Sequence, residues 1–491
     1  MPTEHTNVVV ILADDMGWGD LGCYGATKIP TPAMDRLAAE GLRATDCHAA
    51  SSLCTPSRYA LLTGRYAWRG PLKRHVIFGH SPAIIEQDRP TIASVLRGGG
   101  YATGAFGKWH LGLGWRFRDD RRWSAFEPGA PLEAEVDDGS NVDYAAGFTD
   151  GPTTRGFDRF FGMAASIDMS PYCFLDQDQA VGPVDQPKAV LYPSYGYQRP
   201  GLQNAEWCEE IVDIHFVEEA QRWIAAQAKA KQPFFCYIPL SAPHRPCRPP
   251  DFARGRSQAG PRGDAVVVVD WAAGQIMSLL DDLGLAQSTL LIATSDNGAE
   301  TADVDGNTYG HQANGHWRGR KADIFEGGHR EPFLARWPGR IPAGSVTNEL
   351  YGLVDLLPTL AHAAEVPVPA GAAEDAVDVL GLWTGELVRS PRRSLVHHSG
   401  FGTFSLRQDD WKLVLGSGSG GFSAPRGRPC DATMAEGQLY DVAKDPDERT
   451  NVWSEHPDVI RALYGELKRI VGGPASGLSF DVGLGDLEVS S

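Results

Sequence analysis

Short apolar runs that end abruptly in polar residues recur along the chain. NVVVILADD, at residues 7–15, and TLLIATSDNG, at residues 289–298, are each a continuous apolar stretch closed by acidic or amide side chains. Such runs are typical of strands buried on both faces of a parallel sheet. The pattern therefore predicts that the closing polar residues lie in loops at strand ends, where ligands bind in open α/β sheets.

Helical patterns alternate with apolar runs along the first two thirds of the chain. They are TPAMDRLAAEGL, TIASVLRGGG before YATGAFG, WCEEIVDIHFVEEAQRWIAA before PFFCYIPL, and DAVVVVDWAAGQIMSLLDDLG. This alternation predicts a doubly wound α/β sheet flanked by helices. Residues from about 115 to 205 are rich in Gly, Pro and Asp with weak periodicity, and we expect long loops there over the sheet edge.

The pattern changes after the small-residue segment PVPAGAAEDAVDV, a candidate linker. SLVHHSG, GTFSLRQ, WKLVLG and GQLYDV are short apolar runs separated by turn residues, and the helical HPDVIRALYGELKRIV follows. We expect a small antiparallel sheet with a terminal helix. The predicted division is a large α/β domain at 1–385 and a C-terminal α+β subdomain at 386–491, in which the Gly/Ser segment 416–421 is expected to be a mobile loop.

Composition excludes several classes of protein. The 491 residues are 42% hydrophobic and 22% charged, as in globular proteins, and the net charge of −17 argues against sequence-independent binding to nucleic acid or to an anionic membrane. No run approaches a membrane span, and the first apolar stretch is too short for the core of a signal peptide. We therefore expect a cytoplasmic protein with no nucleic-acid or membrane partner.

The eight cysteines contain no CxxC pair, which argues against a zinc knuckle or a dense disulfide framework. We expect most of them to be buried thiols. They are Cys23, Cys47, Cys54, Cys173, Cys208, Cys236, Cys247 and Cys430.

Four oxygen-bearing side chains follow the two matched apolar runs. Asp14 and Asp15 close the first, and Asp296 and Asn297 close the second. If the two strands are neighbours, these oxygens form a site for a hard cation such as Ca²⁺ or Mg²⁺. For either pair alone the alternative is a solvated turn, since Asp-Asp and Asp-Asn-Gly are common loop sequences.

Cys54 lies at the predicted start of a helix in CTPSRYALLTGR. Pro56 suits an early helical position, and the free amides and positive end of the helix favour an anion there. Arg58 follows one turn on. The alternative for a lone cysteine is a buried thiol.

Three further segments place cationic or titratable side chains after apolar runs. GKWHLG carries Lys108 and His110, SAPHRP carries His244, and RGRKADIFEGG carries Lys321. A fixed cation beside an imidazole suits anion binding with proton transfer. Any one of these residues alone is more often a surface residue, so the prediction depends on their joint occurrence at strand ends.

CTPSR matches the CxPxR signature of the formylglycine-dependent sulfatases, and GKWHLG matches the second signature of that family. The likeness extends to ADDMGWGDLGCYG, SDNG, GRKADIFEGGHREPFLARWPG and LYDVAKDPDERTNV, and so spans nearly the whole chain. The chain resembles the type I sulfatases of the alkaline phosphatase superfamily, in the branch of arylsulfatase A and the N-acetylgalactosamine-6-sulfatases. The resemblance implies an alkaline-phosphatase-like mixed sheet flanked by helices, with a small C-terminal domain.

The resemblance also implies the chemistry. A formylglycine-generating enzyme would convert Cys54 during maturation, and one hydroxyl of the hydrated aldehyde would attack the sulfur of a small-molecule sulfate ester. The alcohol would leave, and the second hydroxyl would then expel sulfate. Asp14, Asp15, Asp296 and Asn297 would hold Ca²⁺ or Mg²⁺, which the Cys54-derived diol also touches.

The remaining roles follow from the same resemblance. Lys108, Lys321 and His244 would bind the sulfate group, with Lys321 or His244 protonating the leaving oxygen, while Arg58 and His110 would stabilise and deprotonate the diol. Ser166, placed by its distance after the GFxxFxG pattern, aligns with a family serine that contacts the sulfate.

His311 and His316 are candidates for contact with the organic part of the substrate, with a solvated loop as the alternative. Two other functions stay open beside sulfate ester hydrolysis. One is a phosphonate or phosphate ester hydrolase on the same fold, and the other is a non-catalytic protein that captures sulfated ligands with Cys54 as a thiol. Since many relatives are exported and no leader is recognised, an aryl sulfate or a small sulfated sugar or metabolite is the expected substrate; the oligomeric state is left open.

Overall fold

In the part of the chain that the structure describes, the strands form one large sheet and two small ones. The computed structural model describes residues 5–119, 139–188, 198–300, 308–427 and 437–472. Within these ranges the strands are β1 (Asn7–Ala13), β2 (Leu42–His48), β3 (Ala102–Lys108), β4 (Arg159–Met163), β5 (Leu175–Asp176), β6 (Gln179–Ala180), β7 (Gln186–Pro187), β8 (Leu202–Gln203), β9 (Phe234–Pro239), β10 (Thr289–Ser295), β11 (Arg330–Arg336), β12 (Ser345–Thr347), β13 (Tyr351–Gly352), β14 (Ser394–His398), β15 (Phe404–Gln408), β16 (Trp411–Val414) and β17 (Gln438–Asp441).

The helices of the described residues alternate with these strands. They are α1 (Pro32–Glu40), α2 (Cys54–Thr63), α3 (Ile92–Gly98), α4 (Val212–Ala230), α5 (Gly260–Asp282), α6 (Glu326–His329), α7 (Leu356–Ala363), α8 (Leu380–Thr384) and α9 (Pro457–Val471). Short 3-10 turns lie at Trp18–Asp20, Gly22–Tyr24, Ala67–Arg69, Tyr144–Ala146, Pro152–Arg155, Glu209–Ile211, Ala286–Ser288, Leu353–Asp355 and Trp453–Glu455.

The large sheet is mixed, with the order β12-β2-β11-β10-β1-β9-β3-β4-β5-β6 and β13 paired to β2. Its five central strands, from β10 to β4, run parallel. On one side β11 runs antiparallel to both β10 and β2, and on the other side β5 and β6 are antiparallel. The predicted doubly wound α/β sheet is confirmed, as a mixed sheet.

Alternate residues of β1 separate the two layers of the core. Val8, Val10 and Leu12 pack on the face covered by α2, α3 and α7, whereas Val9 and Ile11 pack on the face covered by α1, α4 and α5. Every residue of β1 is buried. Since a strand buried on both faces has no polar side, its sequence is a continuous apolar run.

Helix α5 is long and apolar enough, by length and composition, to cross a membrane. In the structure 67% of its most apolar 18-residue stretch is buried inside the protein, and the helix packs against α1 and α4. These properties are those of a core helix.

The sequence pattern predicted four of the eleven described strands of the large sheet, β1, β3, β9 and β10, and missed the other seven. β2 and β11 carry charged residues along buried strands, and β4 lies within the segment predicted as long loops. Arg330, at the start of β11, is buried because it pairs with Asp46 and Glu326, each at 2.7 Å. Tertiary partners of this kind are not visible in a hydropathy pattern. Residues 120–138 and 189–197 of the predicted loops lie outside the described residues.

The C-terminal elements form the predicted small antiparallel sheet, β14-β15-β16-β17, with α9 packed on it. Leu463 and Leu467 of α9 bury against Leu406 and Leu413 of this sheet. The same cluster includes Ala60 of α2 and Trp68, so the C-terminal sheet packs against the helical layer that covers the large sheet. The boundary at 385/386 stays a prediction.

The segment 416–421 is not the mobile loop that its Gly/Ser composition suggested. It is mostly buried, and the Ser419 carbonyl accepts a hydrogen bond from the Ile324 amide at 2.7 Å. A Cβ on Gly421 would lie 2.2 Å from the Ala322 carbonyl oxygen. Small residues are needed here because the segment packs directly on the backbone beside Lys321.

The cysteines described by the structure are free thiols. Five of these are buried, and Cys23 and Cys208 are half-buried, as predicted. Cys430 lies outside the described residues.

Strand β14 also holds the segment that leads from β2 into α2. The His398 carbonyl accepts hydrogen bonds from the Ser51 hydroxyl at 2.8 Å and from the Ser52 amide at 3.1 Å. The His398 imidazole is buried and packs beside the Phe404 ring. Burial, with His75 and Lys73 adding to it, lowers the pKa of His398 from 6.5 to about 3.

We expect His398 to make the protein less stable in mild acid. The unfolded chain takes up a proton at His398 below pH 6.5, whereas the folded chain does not until about pH 3, so this contribution to stability is lost as pH falls below 6.5. Between about pH 7.5 and about pH 5, the free energy of unfolding of the wild type should fall by about 2 kcal/mol more than that of His398→Gln. Urea unfolding at both pH values measures this difference. His215→Gln, at a partly exposed histidine, is the control, and an equal fall in wild type and His398→Gln would contradict the expectation.

Candidate active site

Polar side chains converge at the edge where the parallel strands end. Asp14 and Asp15 follow β1, Lys108 is the last residue of β3, and Asp296 and Asn297 follow β10. The register pairs Ala13 with Ser295, which places the two acidic segments side by side. The neighbouring strands that the sequence analysis required are therefore present.

Loops bring the other predicted residues to the same edge. His244 follows β9 and Ser166 follows β4, both of which are parallel members of the sheet. Cys54 begins α2 after β2, and Lys321 precedes α6 and β11. Because β11 is antiparallel to β10, its start lies at the strand-end edge. All the predicted site residues of this edge are buried.

The four oxygen-bearing side chains are in contact with one another. The Asn297 amide nitrogen donates to Asp15 Oδ1 at 2.8 Å, and the Asp15 backbone amide donates to Asp296 Oδ1 at 3.2 Å. Ligand atoms of Asp14, Cys54 and Asp296 all lie within 4.8 Å of one another. The side chains thus form one compact cluster.

These residues fit a hard divalent cation. Asp14 Oδ1 and Asn297 Oδ1 are buried without a hydrogen-bond partner among the described residues. Burial raises the pKa of Asp14 to about 8, with Lys108 opposing the shift and Asp296 adding to it. Carboxylate and amide oxygens are the ligands that Ca²⁺ and Mg²⁺ prefer, and a cation would offset the repulsion between the carboxylates.

Three cationic side chains surround the carboxylates. Lys108 Nζ lies 2.5 Å from Asp14 Oδ2, Arg58 Nη2 lies 2.7 Å from Asp296 Oδ2, and Lys321 Nζ lies 2.7 Å from Asp15 Oδ2. Burial alone would lower the pKa of Arg58 and of Lys321, but the neighbouring carboxylates outweigh it and hold both pKa values above their usual range. Arg58 and Lys321 therefore stay charged at neutral pH.

Cys54 is the first residue of α2 and is buried. Burial raises the pKa of its thiol to about 11, although Lys108 and Lys321 oppose the shift. An unmodified Cys54 is therefore protonated near neutral pH, and a thiol is a much weaker nucleophile than a thiolate. The helix terminus and nearby cations suit an anionic substrate, whereas the unmodified thiol suits covalent catalysis poorly.

The two predicted histidines are neutral. His110 Nε2 lies 2.8 Å from the Ile77 carbonyl oxygen, and His244 Nδ1 lies 2.6 Å from the Arg245 carbonyl oxygen. Burial lowers the pKa of both imidazoles well below the usual range, with Lys108 adding to the effect at His110 and Lys321 at His244. Ser166 Oγ lies 3.2 Å from His244 Nδ1, so the serine joins the same cluster.

Unusual backbone conformations also occur at this edge. Asp15, His110 and Ala322 have φ values of 66°, 55° and 73°, in the left-handed region that non-glycine residues rarely adopt. Such strain persists only where the surrounding structure imposes it, and it is frequent at active sites. It provides evidence for a functional site that is independent of the charges.

A buried network beneath Asp15 was missed in the sequence analysis. Arg262 pairs with Asp20 at 2.7 Å and also donates to the Asp15 carbonyl oxygen at 2.8 Å. His311 Nε2 lies 2.8 Å from Asp20 Oδ1, so His311 is engaged by this network, while His316 is exposed beside Trp18. Arg262 lies in the first turn of α5, and no motif distinguishes it from a surface arginine.

A family model described as Sulfatase matches residues 6–366. The chain belongs to the sulfatase family. It is 32% identical to the N-acetylgalactosamine-6-O-sulfatase of Bacteroides thetaiotaomicron, over 95% of this chain and 93% of the relative. It is 35% identical to human arylsulfatase A, over 93% of this chain and 86% of the relative. The family predicted from CTPSR and GKWHLG is confirmed, and this sulfatase is a sulfuric ester hydrolase.

Solved structures agree with the sulfatase fold. One from a study of the metabolism of multiple glycosaminoglycans by Bacteroides thetaiotaomicron has a TM-score of 0.82 and 30% identity, covering 96% of this sulfatase and 100% of that chain. The phosphonate monoester hydrolase of Agrobacterium radiobacter has a TM-score of 0.60 at 18% identity, over 95% of each chain, and shares the fold. The predicted alkaline-phosphatase-like fold is confirmed, and family membership favours sulfate esters over the phosphonate or phosphate alternative.

We expect Arg262→Met to destabilise the sulfatase and to lower its activity. The change leaves the buried Asp20 carboxylate without its main partner, which costs about 3–5 kcal/mol in the free energy of unfolding, and it removes a donor to the Asp15 carbonyl. Urea unfolding and steady-state hydrolysis of an aryl sulfate measure the two effects. Arg222→Met, which removes an exposed arginine paired with Glu219 at 2.9 Å, should cost at most about 1 kcal/mol. Equal losses in the two variants would contradict the role of the network.

Proposed function

We propose that this sulfatase hydrolyses sulfate monoesters with a formylglycine made from Cys54 and with Ca²⁺ or Mg²⁺ bound by Asp14, Asp15, Asp296 and Asn297. The observation that carries the proposal is the position of Cys54. It begins a helix, its ligand atom lies within 4.8 Å of those of Asp14 and Asp296, and the charges of Lys108 and Lys321 act on it. A formylglycine-generating enzyme is the partner that such maturation requires.

Formylglycine supplies a hydrated aldehyde as the nucleophile, and the divalent ion supplies positive charge beside the sulfate. Lys108 and Lys321 bind the sulfate oxygens. Both lysines are buried and are fixed by carboxylates, so they need little reorganisation as charge develops in the transition state. Ser166 contacts the sulfate from the His244 side of the cluster.

We assign the proton transfers by the charge that each group carries: a neutral histidine accepts a proton and a charged lysine donates one. His110 is neutral because of its burial, and its Nδ1 has no hydrogen-bond partner among the described residues. It therefore serves as the base toward the nucleophile, while the charged Arg58 orients the same group. Lys321 carries a proton at neutral pH and donates it to the leaving oxygen, with the neutral His244 holding that oxygen.

The substrate proposed is an aryl sulfate or a small sulfated sugar or metabolite. Relatives at similar identity are named as an N-acetylgalactosamine-6-O-sulfatase, an arylsulfatase A and a steryl-sulfatase. Their common feature is the sulfate ester, and the alcohols differ. The relatives therefore support recognition of the sulfate group, which we assign to Lys108, Lys321 and Ser166. They do not identify the alcohol.

Mass spectrometry of the tryptic peptide 44–58 should detect an aldehyde at Cys54 when the sulfatase is expressed with a formylglycine-generating system. Burial keeps the unmodified thiol protonated, so the enzyme needs the modification to form its nucleophile. A known sulfatase converted in the same cells is the positive control. An unmodified thiol in a preparation that hydrolyses sulfate esters would contradict the proposal.

Matched aryl sulfate, aryl phosphate and aryl phosphonate esters should rank with the sulfate first in kcat/KM. Lys108→Ala should lower kcat toward the sulfate by about a hundredfold or more, because a fixed partner of the developing charge is lost. Steady-state kinetics measure both, with Cys54→Ala as the inactive background and Lys229→Ala, at an exposed lysine, as the control for loss of a lysine. A phosphonate that turns over fastest would overturn the sulfate assignment.

A further inference from the structure

Three histidines meet at the junction of the large sheet and the C-terminal sheet, apart from the residues given roles above. His48 is the last residue of β2, His329 is the last residue of α6, and His397 lies in β14. All three are fully buried, and one ring nitrogen from each lies within 4.8 Å of the others. The arrangement joins three segments that are far apart in the sequence.

Each histidine has one ring nitrogen bound to an acceptor outside the cluster. His48 Nε2 lies 2.8 Å from Asp46 Oδ1, His329 Nε2 lies 3.1 Å from the Ile324 carbonyl oxygen, and His397 Nδ1 lies 3.3 Å from the Ala49 carbonyl oxygen. A carboxylate or carbonyl oxygen accepts a hydrogen bond and does not donate one. His48 and His397 therefore carry their protons on these nitrogens, and the other nitrogen of each ring presents a lone pair. His329 Nε2 also lies 3.1 Å from Lys412 Nζ, so His329 has two tautomers: one donates from Nε2 to Ile324, and the other accepts at Nε2 from Lys412 and carries its proton on Nδ1.

In the tautomer in which His329 Nε2 donates to Ile324, the lone pairs of the three rings have no donor to meet, whereas in the other tautomer His329 Nδ1 donates to His48 Nδ1 and no ion is held. His48 Nδ1 faces His329 Nδ1 at 3.0 Å, and His397 Nε2 is buried without a partner among the described residues. Two lone pairs at hydrogen-bond distance repel unless a cation lies between them. The separation is close to the ~3.3 Å edge of a tetrahedron with metal–nitrogen bonds of about 2.0–2.1 Å.

We propose that His48, His329 and His397 form a binding site for a transition-metal ion of the Zn²⁺ class. Imidazole nitrogens suit Zn²⁺, whereas the oxygen-bearing cluster beside Cys54 suits Ca²⁺ or Mg²⁺, so the two sites differ in ligand chemistry. The outward hydrogen bonds are those that fix the tautomers of metal-bound histidines. Asp46, the partner of His48, is itself held by Arg330 at 2.7 Å.

Buried charged residues surround the histidine cluster. Lys412 Nζ is bound to Glu326 at 3.0 Å and to Glu448 at 2.8 Å. Arg330 pairs with both Asp46 and Glu326, so cations match the carboxylates around the cluster. The His329 and His397 rings are stacked with centroids 3.8 Å apart, so one of them must tilt to direct its lone pair at the ion.

A metal ion at this point would link β2, α6 and β14. β2 leads into the segment that carries Cys54, and α6 follows the segment that carries Lys321. The inferred role is structural, since it ties the C-terminal sheet to the two segments that place the nucleophile and a sulfate-binding lysine. The inference rests on the histidine geometry alone and is independent of the proposed function.

The test uses the full-length sulfatase, stripped of metal and then dialysed against Zn²⁺ with excess Ca²⁺ to compete at the oxygen site. Elemental analysis should give one retained zinc per chain, and X-ray absorption should show three imidazole nitrogens at about 2.0–2.1 Å. Asn297→Ala should retain this zinc, which separates the site from the oxygen cluster.

The matched variants are His397→Gln and His398→Gln. The first should lose the zinc, and the second should keep it, because the His398 ring packs beside Phe404 outside the cluster. X-ray absorption of the wild type tests the ligands even if His397→Gln fails to fold. A wild type that retains no zinc, zinc with oxygen-only ligands, or equal zinc in a folded His397→Gln would overturn the proposal.

Discussion

Mutual neutralisation of buried charges at the strand-end edge governs the architecture of this sulfatase. Asp14 pairs with Lys108 at 2.5 Å, Asp15 with Lys321 at 2.7 Å, and Asp296 with Arg58 at 2.7 Å. Each ion loses several kcal/mol of hydration on burial, so removing one partner leaves an uncompensated charge that costs about 3–5 kcal/mol. The six side chains are therefore interdependent.

The order of the strands follows from this requirement. The parallel register of β1 with β10 sets Ala13 beside Ser295, and the acidic segments that follow them are consequently adjacent. β3 delivers Lys108 from the other side of β1, with β9 between them. β11 returns antiparallel to β10, so the segment carrying Lys321 starts where β10 ends. A mixed sheet thus supplies carboxylates from parallel strands and one cation from an antiparallel return.

Sequence patterns predicted the parts of this arrangement that are local. β1 and β10 are recognisable in the sequence as apolar runs because both of their faces are buried. CTPSR and GKWHLG indicate the family because each has characteristic residues at fixed spacing. β2 and β11 were missed since charged residues interrupt them, and those charges are compensated by residues distant in the sequence, as Arg330 is by Asp46. The support of Asp15 by Arg262 leaves no local signal for the same reason.

The prediction that 416–421 is a mobile loop was wrong for a related reason. Gly and Ser in 416–421 suggested mobility, but their small size serves close packing on the backbone at Ala322. Composition alone does not distinguish a residue that is small because nothing contacts it from one that is small because something does. The packing of the neighbouring segment distinguishes these cases, and here that segment lies nearly a hundred residues away in the same chain.

The same distant contacts explain how the site is preorganised. The segment from β2 to Cys54 is held by the His398 carbonyl through Ser51 at 2.8 Å, and the backbone beside Lys321 is packed against Gly421. Both supports come from the C-terminal sheet or the loops next to it. Donors and cations that are already fixed need no reorganisation when charge develops on the sulfate, which is where electrostatic catalysis gains most of its effect. The C-terminal sheet therefore supports the candidate site although it supplies none of the candidate residues at the strand-end edge, because it helps to fix the positions of Cys54 and Lys321, to which we assign roles in sulfate ester hydrolysis.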